Sequence, residues 1–133
     1  MAFFGIFRYA VTTKKEPQFL RITATGKFSV RRSKRLWERV ATEGRKHGAQ
    51  RFLVDLRGIV GAPNWEEEHE LALHIVAHVR LTLAVVVSTM RSLPHFSEWL
   101  VVKGGVEGRA FNCEPDAIAW LLPDSSRRAA EVG

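Results

Sequence analysis

The sequence predicts a single α/β domain built on a mostly parallel, mixed sheet of about five strands, with an N-terminal hairpin and about four helices. Three observations predict it. Arg51-Phe-Leu-Val-Asp-Leu-Arg-Gly58 holds Phe52, Leu53, Val54 and Leu56 in a short apolar run closed by glycine, the pattern of a strand buried on both faces. A second run of the same kind, Leu81-Thr-Leu-Ala-Val-Val-Val-Ser88, follows it. Helical periodicity precedes the first run (Ser29 to His47) and separates the two (Asn64 to Val79). Such alternation specifies βαβ units with right-handed crossovers.

In chain order, Ile6 to Thr13 and Phe19 to Thr25 alternate with period two and predict two strands. Lys14, Lys15, Glu16 and Pro17 form the turn of an antiparallel hairpin, and Gly26-Lys27 leads out of the sheet. Phe3, Phe4 and Phe7 crowd the terminus, where they either cover an open end of the core or form an apolar tip for a membrane. Ser29 is the expected N-cap of the first helix, whose buried stripe is Val30, Ser33, Trp37, Val40, Ala41 and Gly44, with Leu36 at its edge. Within that helix Glu38 is spaced to pair with Lys34 and Arg35, and Glu43 with Arg39.

A loop from Gly58 through Gly61 and Pro63 follows the central strand. Asn64 caps the second helix, with Glu66, Glu67 and Glu68 matching its dipole and Leu71, Ala72, Ile75, Val76 and Val79 facing inward. Beyond the Leu81 strand, Leu93-Pro94 turns into a short helix with Phe96, Trp99 and Leu100, stopped at Gly104-Gly105. Arg109 to Cys113 is a brief last strand. Glu114-Pro115-Asp116 opens a closing helix through Leu122, with Ala117, Trp120 and Leu121 inward. The domain is expected over residues 1–123, and residues 124–133 read as a polar, disordered tail.

Composition narrows the function. A chain of 133 residues with 46% hydrophobic content can bury a core without disulfides or metal. The one cysteine, Cys113, excludes an intrachain disulfide and fits a reducing cytoplasm. The N-terminus lacks the leader and cleavage site of a signal peptide, and no apolar run is long enough to span a bilayer. The net charge of +6 is uneven: residues 1–60 hold fourteen basic and four acidic side chains, and residues 61–133 hold six and ten. A basic half attracts an anionic partner, and the opposed halves allow self-association.

The candidate sites follow from these patterns. Arg31, Arg32, Lys34 and Arg35 sit in the first two turns of the first helix, where the dipole is already positive. Either an anion (lipid headgroup, phosphate or acidic partner) supplies the missing charge, or the long stems carry their charges into solvent. Gly58, Gly61, Asn64 and Trp65, with Ser88 and Thr89 at the neighbouring strand end, are candidate ligand contacts, because open α/β sheets bind at the carboxyl ends of their strands. No Gly-Lys-Ser/Thr follows the glycines, so a phosphate loop is excluded. Glu70, His74 and His78 at i, i+4, i+8 have metal-like spacing, but the zincin pattern is absent and no metal or other cofactor is assigned. Ser88 lacks the Gly-x-Ser-x-Gly context of a nucleophile, so no catalytic residue is assigned.

The order Gly26-Lys-Phe-Ser29, Phe52-Leu-Val-Asp-Leu-Arg-Gly58, Ala84-Val-Val-Val87 and Glu114-Pro-Asp-Ala-Ile-Ala-Trp-Leu121 resembles the SpoIIAA-like branch of the STAS fold, from about Phe7 to Leu122. The resemblance implies kinship in fold with CRAL-TRIO lipid carriers, apolar ligands and peripheral membrane contact. In the anti-sigma-factor antagonists of the wider group, a phosphorylated serine near the start of the second helix switches partner binding. Here residues 58–70 contain neither Ser nor Thr, and Glu66, Glu67 and Glu68 already bring negative charge.

The leading expectation is therefore a non-catalytic cytoplasmic module, peripheral to the inner face of the membrane, that binds an apolar or amphipathic small molecule, a lipid, or an anionic surface. A regulatory module for protein partners, or a homodimer, is the alternative. Nucleic acid ranks third, because the basic helix lacks interleaved aromatics.

Overall fold

The computed structural model describes residues 8–79, 82–86 and 107–122, with the backbone alone for residues 83–86. Five strands form one sheet in sequence order: β1 (Ala10–Lys15), β2 (Leu20–Lys27), β3 (Arg51–Val60), β4 (Thr82–Val86) and β5 (Gly108–Phe111). The β1–β2 pair is antiparallel and every later neighbour is parallel. Three helices are described: α1 (Val30–His47), α2 (Trp65–His78) and α3 (Glu114–Leu121). Ser88, Thr89, the Phe96–Leu100 helix and the tail from residue 124 lie outside the described residues.

Alternation along the strands divides the core. Leu20, Ile22 and Ala24 of β2 and Phe52, Val54 and Leu56 of β3 point to one face. There they meet Leu36, Trp37 and Val40 of α1 and Ala72 and Ile75 of α2. Leu53 points the other way and packs against Ala117 and Leu121 of α3. The two described crossover helices, α1 and α2, therefore share one face, as right-handed connections require when each new strand is added on the same side.

The helix ends are built as the sequence indicates. Ser29 accepts a hydrogen bond from the Arg32 N–H and caps α1, which ends at Gly48 in the left-handed region with φ 62°. The Asn64 side chain accepts from the Glu67 N–H while the Glu67 carboxylate accepts from the Asn64 N–H, a complete capping box.

Several expectations change. The hairpin ladder runs on through Lys14 and Lys15, which pair with Arg21 and Leu20, so the turn contracts to residues 16–19. Charged side chains on this edge strand cost the ladder nothing because they are solvated. Gly26 and Lys27 stay in the sheet, and β3 extends past Gly58 to Val60, because Thr25, Gly26 and Lys27 pair with Gly58, Ile59 and Val60 beyond an irregularity in register. Glu68, placed by the sequence in the first turn of α2 to match its dipole, is also buried, at 5% exposure.

Candidate functional site

Two concavities share a wall on the α1 face of the sheet. The first is a surface groove of about 460 Å³ lined by Arg8, Arg32, Arg35 and Arg39 over a floor of Tyr9, Val11 and Leu36. No acidic side chain lines it. Helical spacing explains the α1 share: positions 32, 35, 36 and 39 fall on one face, next to the buried stripe. The segment entering β1 brings Arg8 and Tyr9 alongside.

Neighbouring bonds orient part of this set. The Arg32 Nη1 donates to the Lys27 carbonyl at 3.0 Å, and the Arg39 Nε lies 3.8 Å from the Glu43 carboxylate. Arg35 has no acidic partner among the described residues. The first turn of α1 holds no acidic residue, so its dipole adds to the positive field.

The second concavity is a cavity of about 40 Å³ behind the groove, lined by Tyr9, Leu36, Trp37, Leu71, Ile75 and Glu68 among others. Tyr9 and Leu36 line both spaces. The Tyr9 hydroxyl shares a 2.8 Å hydrogen bond with Ser33 Oγ and accepts from the Ser29 N–H at 3.3 Å, which holds the ring against the start of α1. A cavity of this size has room for a few waters at most, so this conformation has no space for an acyl chain behind Tyr9.

The sequence candidates scatter. Arg32 and Arg35 reach the groove, whereas Lys34 pairs with Glu70 across the α1–α2 seam and Arg31 is exposed outside it. Arg8 and Arg39 were missed; Arg39 was legible only as the helical neighbour of Arg32, Arg35 and Leu36, and Arg8 only through tertiary placement. In the β3–α2 loop, Gly58 packs on Thr25, Gly61 makes a turn with φ 97°, and Asn64 is occupied by its cap. Trp65 is 62% exposed and Val60 is exposed as well, while Ile59 and Pro63 of the same segment line the cavity.

The expected histidine stripe is rearranged. Glu70 is taken by Lys34, and Glu38 of α1, expected to pair within its own helix, instead accepts from His74 Nε2 at 2.8 Å. Glu43 does pair with Arg39, as its spacing predicts.

On the opposite face, Asp55 accepts from the Arg57 backbone N–H and Nε, both at 3.0 Å, and from its Nη2 at 2.7 Å. Glu114 at the start of α3 joins Arg57 to Arg21. Burial pushes the Asp55 carboxyl up, but the Arg57 hydrogen bonds and the charges of Arg57 and Arg21 outweigh it and hold it below the ordinary carboxylate value. This network ties α3 to the sheet.

No protein-family model matches the chain, and no curated protein matches it. Among solved structures, it is similar to an uncharacterised protein of the DUF3478 family from Shewanella loihica PV-4 whose crystal structure has a SpoIIAA-like fold. The TM-score is 0.50 at 17% identity, over 86% of this chain and 93% of the other. The fold is SpoIIAA-like. In this SpoIIAA-like domain the Phe52 to Gly58 stretch is the central strand, with β2 and β4 as its neighbours. Residues 58–70 of the domain hold neither Ser nor Thr for a phosphorylation switch. No helix among the described residues is long and apolar enough to cross a membrane.

Proposed function

We propose that this SpoIIAA-like domain is a non-catalytic binding module for an anionic amphiphile, a lipid with a negatively charged headgroup, taken from the cytoplasmic surface of a membrane. The observation that carries the reading is the convergence of Arg8, Arg32, Arg35 and Arg39 on a groove with an apolar floor and no acidic lining. The guanidinium groups take the headgroup, each able to make paired hydrogen bonds to phosphate or carboxylate oxygens. Tyr9, Val11 and Leu36 take the first part of the chain. The exposed side chains of Val60 and Trp65 offer further apolar contact with a bilayer.

Basic side chains near an anionic membrane contribute about 1 kcal/mol each, so R32Q/R35Q removes about 2 kcal/mol, roughly a 30-fold loss of partitioning. The test is flotation with phosphatidylserine-containing and phosphatidylcholine vesicles at low and moderate salt, beside calorimetric titration with a short-chain anionic phospholipid below its micelle concentration. R45Q/K46Q, at the far end of α1, changes the charge equally and lies outside the groove. Salt-sensitive binding to anionic vesicles, reduced by R32Q/R35Q and kept by R45Q/K46Q, supports the groove. Titration without vesicle binding assigns it to free amphiphile. Equal loss in both variants, or no binding in either assay, overturns it.

A further inference from the structure

We infer a second site, independent of the groove: Glu38, His74 and His78 form a binding site for a zinc-class divalent metal across the seam between α1 and α2. One carboxylate oxygen of Glu38 and one nitrogen of each histidine lie within 4.8 Å of one another. Zinc takes nitrogen and carboxylate ligands at about 2.0–2.2 Å, which places tetrahedral ligands roughly 3.4 Å apart. The donors therefore close by about 1.4 Å at most, a distance that side-chain rotation covers. Glu38 and His78 are exposed and free to make that movement.

The hydrogen bonds prepare the site. His78 Nδ1 lies 2.9 Å from the His74 carbonyl, which can only accept, so Nδ1 carries the proton and the Nε2 lone pair is left for a metal. A ring N–H donated to a backbone carbonyl is the usual way a ligating histidine is oriented. The two rings lie side by side one helical turn apart, with centroids 4.2 Å apart. Glu38 already accepts from His74 Nε2 at 2.8 Å, so a metal entering between them replaces that proton, which is released to solvent, and spreads an existing contact. Lys34 draws Glu70 away one turn earlier on α2, which leaves Glu38 as the carboxylate at the pair.

Three protein donors leave a coordination position for water or a small ligand. His78 also lines a groove of about 390 Å³ with Ala41, Gly44, Gly48 and Ala49, which gives that position access from solvent. An imidazole-carboxylate set favours zinc, nickel and copper over magnesium or calcium. The metal would join the two helices that pack on the same face of the sheet.

The experiment is calorimetric titration of untagged protein with zinc chloride, alongside cobalt(II) absorption and thermal melts with and without zinc. Expected are one equivalent bound, a visible cobalt spectrum of low coordination number, and a melting temperature raised by several degrees at a hundredfold excess over Kd. H78Q and E38Q, both at exposed positions, should weaken binding at least tenfold while keeping the metal-free melting temperature. H69Q, on the same helix outside the site, should bind as wild type. Absence of saturable zinc binding in folded wild type, or wild-type affinity in H78Q, overturns the assignment.

Discussion

Tyr9 joins the hairpin to α1, and its hydroxyl contact gives a sharp test of how that corner is held. Tyr9 and Ser33 are 6% and 7% exposed, and their oxygens lie 2.8 Å apart. Y9F removes one partner and leaves the Ser33 hydroxyl buried, costing about 1–3 kcal/mol, the penalty for orphaning a buried polar group. S33A strands the tyrosine less, since its hydroxyl keeps the Ser29 N–H at 3.3 Å, and costs about 1 kcal/mol. In Y9F/S33A neither group is orphaned by the other, so the loss falls short of the sum by about 1 kcal/mol or more. Urea denaturation of the four proteins measures the coupling, with unchanged m-values as the check that the unfolded state is unaltered. Additivity within about 0.5 kcal/mol would refute the reasoning and mean that the hydroxyl is held by Ser29 alone.

Two further outcomes follow from the opposite face and the central strand. D55N removes a carboxylate that accepts three hydrogen bonds from Arg57 and should cost about 1–3 kcal/mol at neutral pH. Because Asp55 is held below its ordinary value, this stability is full above the unfolded-state pKa of about 3.9 and disappears as pH falls through the folded value, so wild-type and D55N stabilities should converge in acid melts. A Cβ at Gly58 would stand 2.5 Å from Thr25 Cγ2, so G58A should destabilise by about 1–3 kcal/mol, and G58A/T25S, which deletes that methyl, should recover only part of it in thermal melts, because Thr25 Cβ at 3.2 Å and the Ala24 carbonyl at 3.3 Å stay close.

The helices and strands were legible because their signals are local. A period of two marks β2, a continuous apolar run marks β3, and caps at Ser29 and Asn64 set the starts of α1 and α2. The strand ends were not, because whether Lys14, Lys27 or Val60 stays in a ladder depends on the strand beside it.

The same division runs through the candidate sites. By itself the sequence determined the α/β class, the order of the described elements, most of the buried stripe of α1 and the concentration of basic charge on its outer face, since the local signals depend on spacing within one element; Leu36, expected at the edge of that stripe, is in the core, and Val30 is only half-buried. Only the tertiary structure decided which charges act together. Glu38 had two cationic neighbours within its own helix and took His74 from another; Lys34, grouped in sequence with Arg31, Arg32 and Arg35, was neutralised by Glu70. Arg8 became part of a groove because β1 runs beside the first turns of α1. Charges on long side chains choose among partners within several ångströms whatever their separation in sequence, so their pairing is a property of packed elements rather than of spacing along the chain.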